Sequence, residues 1–163
     1  MTWKFDKELA RTVFSSPVHF LAFGLGSGLS PKAPGTVGTL AAIPFYLWMA
    51  SLGTGVYLLI LVLAIVAGIW LCGESARRLG VHDHGGIVWD EFAGFWLTML
   101  AAPSGIISVV VGFVLFRIFD IWKPWPIRWA DRQVQGGLGI MLDDLLAGIY
   151  AGLLLQGLAL LFR

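Results

Sequence analysis

Charge is what this sequence has least of. Charged residues make up 13% of its 163 positions, about half the ~25% usual in soluble domains. Hydrophobic residues reach 58% and mean hydropathy is +0.82, a balance that predicts an integral membrane protein. Basic residues are as sparse as acidic ones: with a net charge of +1 and no Lys/Arg-rich run, nothing points to a nucleic-acid partner. Cysteine is nearly absent, and Cys72 alone excludes an internal disulfide framework. The opening stretch MTWKFDKELARTVFSS lacks the basic-then-apolar pattern of a cleaved signal peptide and is expected to be retained. The length suits one domain over residues 1–163.

The uncharged stretches set the expected topology. No charged residue occurs between Ala33 and Gly73, between Phe92 and Phe116, or between Leu145 and Phe162. A crossing needs ~20 helical residues, so the first stretch holds two spans with a turn at SLGTG (Ser51 to Gly55), and the last holds one. The middle stretch is long enough to form one long span, but it contains a Pro-Ser-Gly turn signal in AAPSG (Ala101 to Gly105) that would divide it in two. Two crossings there place Arg117, Lys123, Arg128 and Arg132 on the same side as Lys4, Lys7, Arg11, Lys32, Arg77 and Arg78, as the positive-inside rule requires. The predicted fold is therefore all-α, a polytopic membrane helix bundle of about five transmembrane helices with its N-terminus in the cytoplasm. PVHFLAFGLGSGL (Pro17 to Leu29) is short and glycine-rich, which predicts an N-terminal interfacial or re-entrant helix. Trp122, Trp125 and Trp129 among Lys and Arg predict a segment lying along the inner surface.

The few acids gather at one face, in DHGGIVWDEFAG, FRIFDIWKP and IMLDDLLAG. Asp90 and Asp144 each open the same pattern, Asp-x-x-Ala-Gly, on helices expected to run from inside to outside, so the two lie at similar depth. Small residues at Ala93/Gly94 and Ala147/Gly148 allow close helix contact. One aspartate at a helix start is more often a cap than a ligand. Asp90, Glu91, Asp143 and Asp144 at two helix starts, with Asp120 ending a third span, exceed what capping needs. Carboxylates this dense repel one another unless a cation sits among them, and hard oxygen ligands suit Mg²⁺. Phosphate-type groups surround them: Arg117 and Lys123 flank Asp120, and SPKAPGTVGTL brings Lys32, Thr36 and Thr39 to a helix start suited to anions. An ordinary loop and cap would account for that last stretch equally well.

Other features carry less. CGESARR fits Cys-x5-Arg, the phosphate loop of cysteine phosphatases, yet Cys72 ends an apolar span and Glu74 would repel a phosphate dianion. His82 and His84 around Asp83 are more often solvated than ligating. Gly148, Gly152 and Gln156 share a helix face better explained by packing. His19, on an apolar segment, is expected to be packed or interfacial.

GLSPKAPGTVGTL, IVWDEFAG, FRIFDIWKPWPI and GGLGIMLDDLLAGIYAG, in that order, resemble the phosphatidylglycerophosphatase A family of bacteria, over about Gly24 to Gly152. The resemblance implies a Mg²⁺-dependent enzyme of the bacterial inner membrane that removes the terminal phosphate of phosphatidylglycerophosphate to give phosphatidylglycerol. It places the motif residues at Thr36, Thr39, Asp90, Glu91, Arg117, Asp120, Lys123, Asp143 and Asp144. The expected partners are an inner-leaflet phospholipid and the membrane itself, with the active site facing the cytoplasm.

In the mechanism this suggests, Asp90, Glu91, Asp120, Asp143 and Asp144 bind metal, Arg117, Lys123, Thr36 and Thr39 hold phosphate, and Asp90, Asp120, Lys123 and Asp144 take part in catalysis. Asp144 is the first candidate for the base, but the sequence does not separate metal ligand from base. Direct attack by water is preferred because the Asp-x-Asp block of aspartate-based phosphatases is absent. Two other classes use membrane carboxylates. A CDP-alcohol phosphotransferase would carry an Asp-Gly-x-x-Ala-Arg signature, which this chain lacks. A cation transporter would place its acids near mid-membrane.

Overall fold

A computed structural model describes residues 6–161. Among them there is no strand; the chain forms α1 (Lys7–Ser15), α2 (Pro17–Ala22), a 3-10 turn (Ser27–Leu29), α3 (Pro34–Ala50), α4 (Thr54–Leu79), α5 (Trp89–Thr98), α6 (Ile106–Trp122), α7 (Ile127–Gln133) and α8 (Gly136–Leu161). Local chemistry explains most boundaries. Asp6 caps α1, its carboxylate accepting from the amides of Glu8 and Leu9. The long apolar run of α4 stops at Gly80, whose φ of 69° suits a left-handed C-cap, with Arg77 and Arg78 in the last turn. Both predicted turns are present: SLGTG separates α3 from α4, and AAPSG separates α5 from α6.

Helices α4 and α8, 26 residues each, are the two among the described residues that are long and apolar enough to cross a membrane. At 1.5 Å per residue each extends about 39 Å. Helices α3 and α6 have 17 residues and α5 has 10, so not all of the expected spans have the ~20 residues of a comfortable crossing. The outer faces are nonetheless apolar: Leu59, Leu63, Val66 and Trp70 on α4, Ile107 and Ile121 on α6, and Leu153 and Leu160 on α8 all lie exposed. Apolar area of this extent is unusual on a water-facing monomer.

Helix α5 sits in the middle, packed on α3, α4, α6 and α8, with Phe92, Ala93, Phe95 and Trp96 all buried. Its aromatic polar tips find carbonyl partners on its neighbours. Trp96 donates to the Ala42 carbonyl, Trp89 to that of Ala64, and the Tyr57 hydroxyl to that of Trp96, which ties α3, α4 and α5 together without burying an unpaired donor.

The register that matters for the site is between α5 and α8. Gly94 meets Gly148, Thr98 meets Gly152, and Gln156 donates to the Ala101 carbonyl. The numbers rise together, so the two helices are parallel. Thr98 Oγ1 stands 3.0 Å from the Gly94 carbonyl oxygen and 3.3 Å from that of Gly148, linking the pair.

The N-terminal part also takes a definite place. Helix α2 is six residues long, too short to span, and packs on α4, where His19 Nδ1 lies 2.8 Å from Ser75 Oγ. Burial and nearby Arg78 push the imidazole below its ordinary pKa, so it is neutral and packed at physiological pH. Helix α7 carries Trp129, which with Trp122 and Trp125 is exposed beside Arg128 and Arg132. That arrangement suits a headgroup-level segment.

Candidate active site

The parallel register of α5 and α8 sets the two Asp-x-x-Ala-Gly pentapeptides side by side. Carboxylate oxygens of Asp90, Glu91 and Asp144 all lie within 4.8 Å of one another, and Asp144 is only 3% exposed. Asp90 and Glu91 occupy the first turn of α5, as expected. Asp143 and Asp144 do not occupy the first turn of α8, which begins at Gly136. They stand two turns in, about 12 Å along the axis, where every backbone amide already has a helical partner. Capping therefore cannot account for them.

Asp120, near the end of α6, faces the same group. It lies beside Asp144 and pairs with Arg117 Nη1 at 2.5 Å; the same nitrogen is 3.8 Å from Glu91 Oε1. The start of α3 closes over this pair. A Cβ at Gly35 would collide with the Glu91 carboxylate and come within 3.1 Å and 3.2 Å of the Arg117 terminal nitrogens. Ala33, before α3, adopts φ 46° and caps no amide with its side chain. The first amides of α3 therefore open beside a guanidinium, an arrangement that suits an anion.

Thr36 lines a groove with Arg117. Thr39 is set apart from this opening: it is fully buried and its hydroxyl donates to the Gly35 carbonyl at 2.8 Å. A direct phosphate contact expected of Thr39 is thus replaced by a role in shaping the first turn of α3. Lys32 lies exposed.

Lys123 and Asp143 form a second group at the edge of the first. Lys123 Nζ donates to Asp143 at 2.6 Å and to Asp131 at 2.5 Å. Burial works against the ammonium, but the two carboxylates outweigh it and hold Lys123 above its ordinary pKa. Its charge is thus committed to anchoring Asp143 and, through Asp131, the second half of α7. Sequence reasoning did not single out Asp131; its only signal was a lone acid in IRWADR, a stretch otherwise read as interfacial.

Several buried oxygens and a nitrogen in this region have no hydrogen-bond partner: Asp90 Oδ1, Glu91 Oε2, Asp143 Oδ1 and Asp144 Oδ2, with Arg117 Nε. Unpaired buried carboxylate oxygens are costly. Asp90, Glu91, Asp120, Asp143 and Asp144 against Arg117 and Lys123 also leave an excess of negative charge. Both features fit a hard divalent cation with Asp90, Glu91 and Asp144 as ligands, and a phosphate-bearing ligand on the Arg117 side.

Residues 20–159 match the family described as phosphatidylglycerophosphatase A. The chain belongs to that family. A phosphatidylglycerophosphatase A of Escherichia coli (strain K12) is 54% identical, over 91% of this chain and 88% of the relative. One of Haemophilus influenzae is 45% identical, over 90% and 91%. A protein of Bacteroides thetaiotaomicron, named provisionally as a phosphatidylinositol-3-phosphatase, is 39% identical over 81% and 87%. No solved structure matches.

The Cys-x5-Arg motif does not form a phosphate loop in this fold. Cys72 is fully buried, its Sγ 3.9 Å from Met141 Sδ. Arg78 is paired with Glu74 at 2.7 Å. Cys72→Ser should keep most of the activity, and thiol reagents should inhibit weakly; loss beyond ~100-fold in folded protein would restore a nucleophilic thiol. The histidines also stay outside the cluster. His82 is exposed, and His84 accepts from the Gly86 amide at 3.0 Å while its ring packs on Phe23.

Proposed function

We propose that this chain is a lipid phosphatase that hydrolyses the terminal phosphomonoester of phosphatidylglycerophosphate to phosphatidylglycerol and phosphate. The observation that carries the reading is the meeting of Asp90, Glu91 and Asp144, with oxygens left unpaired, beside Arg117 and the open start of α3. Names of the relatives from E. coli and H. influenzae support the substrate. The provisional name of the third points to another lipid phosphomonoester, so the shared chemistry is removal of a phosphate from a lipid headgroup.

Asp90, Glu91 and Asp144 would hold Mg²⁺, which when bound neutralises phosphate charge and makes a bound water more acidic. Arg117 grips the phosphoryl oxygens, aided by the first amides of α3 and by Thr36. Asp144 accepts a proton of the attacking water as the water oxygen bonds to phosphorus; the bond from phosphorus to the glycerol oxygen breaks, and that oxygen takes a proton from solvent and leaves as the alcohol. Asp120 orients Arg117. Lys123 holds Asp143 in place at the edge of the acids and is a positioning residue in this scheme.

The membrane arrangement is part of the proposal: a bacterial inner-membrane protein with five crossings, the N-terminus and acids on the cytoplasmic side, and substrate drawn from the inner leaflet. Helices α3 and α6 fall at the short end of spanning lengths. The short α5 is enclosed by its neighbours, so protein rather than lipid surrounds its ends. Cysteines placed at Ser104 and at Gln135, in a Cys72→Ser background, should label from opposite sides of the membrane. Labelling from one side would defeat the two-crossing reading of the α5–α6 hairpin.

Purified protein should release phosphate from phosphatidylglycerophosphate when Mg²⁺ is present and lose that activity on chelation, with recovery on adding Mg²⁺ back. Absence of release under both conditions would refute the enzyme reading. Full activity after chelation would refute the metal.

A further inference from the structure

On α6, Val114, Arg117, Ile118 and Ile121 follow i, i+3, i+4 and i+7 spacing and form a single stripe. With Thr36 of α3, and with Phe113 and Trp122 beside them, they line a groove of about 430 Å³, a volume within the range of small-molecule sites. Val114, Ile118 and Ile121 are exposed on the outer face of the bundle. Arg117 belongs to both the groove and the acid cluster. It pairs with Asp120, lies 3.8 Å from Glu91, and leaves Nε unpartnered. The groove therefore leads from the apolar exterior to the phosphate-binding side of the acids. A larger cavity of about 560 Å³, lined by Pro103, Val111, Leu155 and Gln156 among others, lies at the AAPSG end and has no charged residue to receive an anionic head.

We infer that the groove between α3 and α6 seats the acyl-glycerol end of the phospholipid substrate, so that the lipid enters sideways from the bilayer and presents its phosphate to Arg117. This rests on the lipid-phosphatase reading above. The match is chemical: an apolar wall joined to one cation fits a ligand in which an apolar chain is joined to an anion. A water-soluble phosphate ester would gain nothing from Val114, Ile118 or Ile121. A chain in the groove would remove those side chains from contact with bulk lipid and align the headgroup before chemistry, which lowers the entropy lost on reaching the transition state.

The test fills the groove. Full-length Val114→Trp and Ile118→Trp proteins would be assayed in mixed micelles on dioleoyl phosphatidylglycerophosphate and on its dihexanoyl counterpart. Leu63→Trp, on the equally apolar exposed face of α4, is the control. The ratio of kcat/KM for the long-chain over the short-chain substrate should fall roughly tenfold or more in the groove variants, mainly through KM, and hold in Leu63→Trp. Because it is a ratio, a smaller folded fraction in any variant cancels, and two groove positions keep the test readable should one fail to fold. An unchanged ratio in the groove variants, with the wild type active on both lipids, would overturn the groove assignment alone. A wild type that releases phosphate from neither lipid would overturn the phosphatase reading and the groove with it.

Discussion

Replacing Asp144 with Asn should lower turnover by roughly 10³-fold or more while the protein stays folded. The substitution keeps shape and part of the hydrogen bonding but removes the charge that Asp90, Glu91 and Asp144 share within 4.8 Å. It also relieves repulsion with Asp120 alongside, so thermal stability without added metal should hold or rise. A cap would behave in the opposite way, with ~1 kcal/mol of stability lost and activity per folded molecule kept. Asp90→Asn should behave like Asp144→Asn, and the double variant should be little worse than either, because removing a second ligand from a failed site adds little. At least one of the single variants should need more Mg²⁺. Asp6→Asn, at the cap of α1, is the charge-matched control and should leave turnover unchanged. Near-normal turnover in folded Asp144→Asn protein would remove the centre of the proposed site.

Gly148→Val should be strongly damaging although the position carries no functional group. A Cβ at Gly148 would lie 2.5 Å from the Gly94 carbonyl oxygen and 3.2 Å from its carbon. Those atoms are main chain, so the helices must separate rather than a side chain turn aside. Overpacking in a closed core typically costs 1–3 kcal/mol; here backbone meets backbone, and the effect should reach the upper end or exceed it. The melting temperature should fall, and activity should be lost along with it as Asp90 and Asp144 part. Gly157→Val, on the same helix with nothing within 4 Å of the added carbon, should leave both measurements nearly unchanged. Equal behaviour of the two variants would show that α5 and α8 are not in this contact.

Much of the site could be read before the structure because it is built from local repeats. The paired pentapeptides at Asp90 and Asp144 announce a parallel pair at equal depth, and the small residues that follow announce close contact. The AAPSG turn was equally legible, since Pro, Ser and Gly carry its chemistry locally. The start of α8 was not. Glycines at 136, 137 and 139 are poor helix formers, yet α8 runs through them, with Gly137 packed against the Ile69 carbonyl and Gly73 of α4. Tertiary contact overrides propensity there, and it moves Asp143 and Asp144 from a helix end to a helix interior. The length of α5 was hidden for a similar reason: an uncharged run reads the same whether lipid or protein surrounds it. Asp131 is held to Lys123 across a loop and a short helix, a pairing for which no periodicity exists. Spacing alone puts Thr39 with Thr36 at a helix start suited to anions, and only the helix geometry shows its hydroxyl turned back to the Gly35 carbonyl.

The contact of Gly94 with Gly148 has a consequence for ion choice. The separation of the helices that carry Asp90 and Asp144 is set by two main chains in contact, with no side chain between them to yield. Mg²⁺ holds its oxygens at 2.0–2.1 Å and Ca²⁺ at 2.3–2.6 Å, a difference that a pliable site absorbs and a stiff one does not. Discrimination by ionic radius would thus be written into glycines that never touch the metal.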